Sequence, residues 1–193
     1  MKQALTCMAF AVAWFCAAPL SAQEGTAPPE KPAIAGVVLD GPDGSAGPRD
    51  PNRGSVTNLP IPRFVTLKGN EGNARRGPGL THRIDWVFTR VGMPLKITAE
   101  YENWRRVEDG DGAGGWVHYS LLSGVRAVLI TQDMAQAFDQ PDDQSEVLFQ
   151  SELGVIGALQ QCLANWCSVS VEGDDGWLRK SALWGVSPSE TYP

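Results

Sequence analysis

Cysteine, arginine and tryptophan are the residues of this chain whose spacing bears on chemistry. The stretch CLANWC, residues 162–167, sets two cysteines around a four-residue interval. Four readings compete for it. Zinc wants four ligands, usually Cys and His. Beyond residue 22 the chain offers only Cys162, Cys167, His82 and His118, and the histidines lie far upstream. A catalytic cysteine needs a histidine partner and an exposed thiolate. A redox pair is more often spaced CxxC. A structural disulfide between Cys162 and Cys167 fits best, because it asks only for a hairpin turning at Ala164-Asn165, which sets the two cysteines opposite each other within bridging distance.

Four arginines, Arg75, Arg76, Arg105 and Arg106, fall in two adjacent pairs. Arginine presents a planar fork of donors suited to carboxylates, so these residues are candidate ligand contacts, set against a reading as ordinary surface charge. Trp104, Trp116, Trp166 and Trp177 read as core or half-core residues of small β-units, where aromatic rings supply most of the apolar burial. Trp86 and Tyr119 are the better groove candidates. Trp184 fits either a groove or a contact between units. DGDG (109–112) and GDDG (173–176) lack the spaced acids of a complete calcium loop, and GDGAGG lacks the ending of a phosphate loop. GxSxG is absent, and no Ser-His-acid or paired-carboxylate constellation emerges. No enzyme activity, metal or cofactor is expected. The alternative enzyme reading, a hydrolase with Cys162 or Cys167 as nucleophile, requires a free thiol.

What positions these residues begins after a leader. Residues 1–22 carry Lys2, an apolar run from about Ala4 to Ala18, and small residues at Ser21 and Ala22. That pattern reads as a secretory signal cut after Ala22, taking Cys7 and Cys16 with it. Cys7 lies too early for a lipoprotein signal, and bulky Phe15 fits such processing poorly. The apolar run is short for a membrane span, and no integral membrane segment is expected. A periplasmic or secreted location then favours the disulfide. The whole chain has 16 Lys and Arg against 22 Asp and Glu, a balance that argues against nucleic-acid binding. Residues 23–60 are rich in Pro and Gly and read as a disordered linker; PEKP (29–32) formally matches a PxxP motif but reads as solvated linker.

Beyond this linker, short apolar segments alternate with Gly, Pro, Asn and Asp turns, the signature of an all-β fold. The segment then repeats itself. Gly92, Asn103, Trp104 and Val107 recur 62 residues later as Gly154, Asn165, Trp166 and Val169. GWVHYSLLSGV (115–125) recurs 61 residues later as GWLRKSALWGV. Ala74 and Pro78 recur 63 residues later as Ala137 and Pro141. Two copies of one unit follow, over 61–125 and 126–187, with a tail at 188–193. In each, YSLLSG or KSALWG reads as a single helical turn, and closure of a small barrel would remove exposed sheet edges. The repeat sets Cys162 opposite Glu100 and Cys167 opposite Arg105, so the first copy offers an ion pair where the second offers the bridge. The missing spacer at Val125-Arg126 points to docked units. Residues 63–124 hold nine Lys and Arg against seven acids, and residues 126–193 hold three against ten. This asymmetry suggests a charge contribution to docking.

NARRGPG (73–79), NWRRV (103–107) and GWVH (115–118) resemble the bacterial SH3-like (SH3b) family, in the tandem form of secreted proteins. The resemblance covers 61–187 and implies two SH3-like barrels that bind or target rather than catalyse. The expected partners are cell-wall (peptidoglycan) material or an envelope protein segment; a structural adaptor of an envelope assembly is a further alternative. The ligand groove is expected in the first copy, between NARRGPG and DGDGAGG, using Arg75, Arg76, Trp86, Arg105, Arg106 and Tyr119. The second copy departs from the pattern, with AFDQPDD (137–143) in place of the Arg-Gly-Pro element.

Overall fold

The computed structural model describes residues 50–193. The expected leader and the linker as far as residue 49 lie outside the described residues. The first copy comprises β1 (Arg63–Leu67), β2 (Gly72–Arg75), β3 (Ile84–Phe88), β4 (Pro94–Tyr101), β5 (Trp104–Glu108), β6 (Gly114–His118) and β7 (Leu122–Ser123). The second comprises β8 (Ala127–Ile130), β9 (Ala135–Phe138), β10 (Val147–Ser151), β11 (Ile156–Cys162), β12 (Trp166–Val171), β13 (Asp174–Arg179) and β14 (Leu183–Trp184). Single 3-10 turns, Tyr119–Leu121 and Lys180–Ala182, precede β7 and β14. The strand orders are β3-β2-β6-β5-β4-β1-β7 and β10-β9-β13-β12-β11-β8-β14. Adding seven to each label of the first sheet yields the second, so the sequence repeat is a repeat of topology.

Local detail repeats as well. The pairing of β4 with β5 slips by one residue between Ile97↔Val107 and Ala99↔Arg106, and that of β11 with β12 slips between Leu159↔Val169 and Gln161↔Ser168. Such bulges bend a strand and let a small sheet curl around its own side chains. Each sheet encloses a separate core, with Val65, Ile97, Val107 and Val117 in the first and Val128, Leu159, Val169 and Leu178 at the same register in the second. Trp104 and Trp166 are both buried, each directly across from the end of the next strand, at His118 and Arg179. The curled sheets differ from fully closed barrels in one respect: the terminal strands do not pair with each other.

Residues 50–60 differ from the linker expected there. Gly54 is buried, and the backbone N–H groups of Val56 and Thr57 donate to the Glu100 carboxylate at 3.0 and 2.8 Å. Composition describes how little a segment buries alone, and here the partner is a buried charge on the first sheet. The two copies are docked. Trp184 packs edge-on against Phe64, with ring centroids 5.3 Å apart, and Lys96 Nζ lies 5.1 Å from the Trp184 ring. Arg90 Nη2 donates to the Gly154 carbonyl (2.6 Å). No ion pair among the described residues crosses this junction, so aromatic and backbone contacts hold it rather than the opposite charges of the two copies. No helix among the described residues is long and apolar enough to cross a membrane.

Candidate functional site

The six residues expected to converge do not share one place. One place is the outer face of the first sheet. In β6 the alternation buries Val117 and turns Trp116 outward; in β5 it buries Arg105 and Val107 and turns Arg106 outward. The register then sets Arg75, Trp116 and Arg106 side by side across β2, β6 and β5. Gly115 permits the close approach of β6 to β2, since a Cβ there would lie 2.6 Å from the Arg75 carbonyl oxygen. Arg75 also organises the loop that follows, because its Nη1 donates to the carbonyls of Leu80 (3.0 Å) and His82 (2.7 Å). At the edge, Asp85 accepts from Arg83 Nε (2.6 Å) and Arg76 Nε (3.1 Å). These hydrogen bonds, Arg83 first, hold its carboxyl below the usual range. Trp86, half exposed, lies on β3 across from buried Ala74 and two residues before buried Phe88, so it stands on the other side of the sheet from Trp116. Arg106 is exposed, and its side chain makes no ion pair or hydrogen bond among the described residues. The face therefore combines aromatic surface with more guanidinium than carboxylate.

The same row in the second copy reads Phe138, Trp177, Ser168. Phe138 is buried and stacks edge-on against Trp166, so both cations are gone. Trp116 is the residue that the sequence reading left out of the site. Its alternation with Val117 in GGWVH was the available signal.

Arg105 and Tyr119 lie elsewhere, at one end of the first sheet. The Glu100 carboxylate is fully buried there and paired with Arg63 (2.6 Å) and Arg105 (3.5 Å). Burial pushes its pKa up, but donors from the Thr57 hydroxyl and N–H, Arg63 and the Val56 N–H outweigh that and bring it from 4.5 to about 2. Arg105 Nη1 donates to the carbonyls of Glu102 and Trp104 at 2.8 and 2.9 Å. Beside this cluster runs a groove of about 370 Å³ whose lining includes Val65, Ile97, Leu122, Tyr119, Arg63 and Thr57. Tyr119 is half exposed, stacked on His118 with centroids 5.0 Å apart.

The groove expected between NARRGPG and DGDGAGG is not where these residues gather. The Asp109 carboxylate accepts from the N–H groups of Asp111 and Ala113 within its own turn, and a Cβ at Gly110 would lie 3.5 Å from the Trp184 ring. That turn faces the second copy. Trp184 accordingly serves the junction. Cys162 and Cys167 are bonded across the β11–β12 hairpin, with Cα atoms 4.1 Å apart. No group of three or more His, Cys, Asp or Glu among the described residues is placed to hold a metal ion.

Comparison with known proteins adds three findings. Residues 68–124 and 131–185 each match the bacterial SH3 domain model. No curated protein matches the chain. Among solved structures the chain is similar to NlpC2 and NlpC1 from Trichomonas vaginalis, at 13% and 12% identity and a TM-score of 0.31 for each. The matches cover 64% and 68% of this chain and 48% of each of theirs, so it spans about half the length of those proteins.

Proposed function

The chain belongs to the bacterial SH3 domain family, with two tandem copies of the domain, and from that footing we propose that it is a non-enzymatic binding protein of the cell envelope, periplasmic or secreted, whose first domain recognises carboxylate-bearing peptide of the cell wall. The observation that carries this reading is the outward row Arg75–Trp116–Arg106, present in the first copy and replaced by Phe138–Trp177–Ser168 in the second. A planar guanidinium beside an indole face pairs with a carboxylate while the ring covers apolar stem. The Cys162–Cys167 bond supports an oxidising compartment. It also ties up both thiols of the described chain, which favours binding over hydrolysis at a cysteine.

The test is retention on purified peptidoglycan. Arg76→Ala/Arg106→Ala is the informative variant, because both side chains are exposed, whereas Arg75 also pins its loop. The wild type is expected to be retained and released by raised salt, with the variant weakened by about tenfold, or about 1.4 kcal/mol. A wild type that passes through unretained would remove the wall from the reading.

A further inference from the structure

The second copy holds an extended segment of its own chain against the end of its sheet. Cys162 and Tyr192 exchange both backbone hydrogen bonds, at 2.8 and 3.1 Å. Glu190 accepts from Arg126 Nη1 at 2.5 Å and from the Ser187 N–H at 3.0 Å. Lys180 Nζ donates to the carbonyls of Pro188 and Glu190. The Arg126 guanidinium donates to the Gly185 carbonyl at 2.7 Å and lies 5.6 Å from the Tyr192 ring. A carboxylate and, two residues on, an aromatic ring thus dock beside one arginine.

The duplicated topology maps this site onto the first copy. The pairings Val65↔Leu95 and Val128↔Gly157 align β1 with β8, so Arg63 corresponds to Arg126. The 61-residue repeat brings Tyr119 to Lys180 and Gly124 to Gly185. Arg63, Tyr119 and Gly124 all line the groove of about 370 Å³ at the end of the first sheet. After the first copy the chain runs straight on into β8, and the place that Tyr192 takes beside Cys162 is taken beside Glu100 by residues 55–57, so the groove lies next to that segment. Thr57 of that segment and Leu59 belong to the lining of the groove. Two guanidinium groups, Arg63 and Arg105, face the single Glu100 carboxylate, which leaves one positive charge in surplus beside an apolar floor.

We propose that this groove is a second, separate docking site, for an extended peptide segment of a partner protein that carries a carboxylate two residues before an aromatic ring. The second copy's own tail shows the chemistry that the shared architecture accepts. The site is distinct from the Arg75–Trp116–Arg106 row, so either can fail without the other.

The probe is a fluorescein-labelled peptide of Ser187–Pro193, titrated against the full-length protein and read by fluorescence anisotropy. Saturable binding is expected, weakened by about tenfold with Tyr119→Ala and likewise with alanine at the peptide's tyrosine. Tyr119 is half exposed, so the variant is expected to fold, and a wild-type circular dichroism spectrum checks it. Affinity that fell with Arg106→Ala and not with Tyr119→Ala would place the peptide on the Arg75–Trp116–Arg106 row and overturn the proposal. Absence of saturable binding up to about 1 mM, where the binding free energy is only about −4 kcal/mol, would overturn the proposal. So would binding that ignores Tyr119→Ala, which would place the peptide on the second copy by exchange with its own tail. Sedimentation of the protein alone that showed a dimer lost on Tyr119→Ala would assign the groove to a second copy's tail and overturn the partner assignment.

Discussion

Glu100 and Cys162 occupy the same place in the two copies, and each secures its hairpin by a different chemistry. The Glu100 carboxylate is buried with Arg63, Arg105, Thr57 and the Val56 N–H around it. Removing one partner from such a cluster leaves charge buried without compensation, at a cost of roughly 3–5 kcal/mol. Arg63 lies toward the surface, so Glu100→Gln is expected at the lower end of that range in urea denaturation at pH 7. The pH dependence follows from the lowered pKa. The folded protein releases this proton more readily than the unfolded chain, so the stabilisation is complete above about pH 4.5 and is lost as pH falls toward about 2. Denaturation series at pH 6 and pH 3 should show the wild type losing more stability than Glu100→Gln over that interval. Equal losses would mean that the carboxylate does not carry the acid sensitivity.

At the scale of elements, the disulfide and the glycines determine how closely strands approach. The Cys162–Cys167 bond closes a loop with a sequence separation of 5, for which the chain-entropy relation predicts about 2 kcal/mol. Cys162→Ala/Cys167→Ala should lower stability by about that amount, with the second copy losing amide protection first in hydrogen exchange. Gly115 sits where a Cβ would lie 2.6 Å from a backbone oxygen of β2. Gly115→Ala must therefore push β6 away from β2, at a cost of roughly 1–3 kcal/mol, and it should disturb the Arg75–Trp116–Arg106 row as well. A variant with wild-type Tm would refute this account of how the face is built.

At the scale of the whole molecule, the two domains act as a docked pair because Trp184 of one packs on Phe64 and Lys96 of the other. Arg126 stands at the joint, half-buried, bonded to Glu190 and Gly185. Trp184→Ala removes an edge-on aromatic pair worth about 1 kcal/mol and should loosen the joint. Trypsin cleavage after Arg126 is then expected to speed up, with a larger radius of gyration in small-angle scattering. Cleavage at the wild-type rate would mean that the joint is held chiefly by Arg126 and the backbone contacts.

The sequence by itself determined the repeated unit. Trp104 and Trp166, the two hairpins, the bridge between Cys162 and Cys167 and the paired 3-10 turns were all legible, because each depends on residues close in the chain or on a pattern written twice. Tertiary structure alone decided which candidate residues share a place. Arg105 and Arg106 are neighbours in sequence, yet strand alternation sends one to Glu100 in the interior and the other to the outer face. Trp116 joins Arg75 and Arg106 only through strand register, which no short stretch of sequence encodes. Residues 50–60 read as linker because their own composition buries little, and they are ordered by a carboxylate more than 40 positions away. Contacts between distant parts of a chain depend on where the sheet brings them, and that is settled only when the whole sheet has formed.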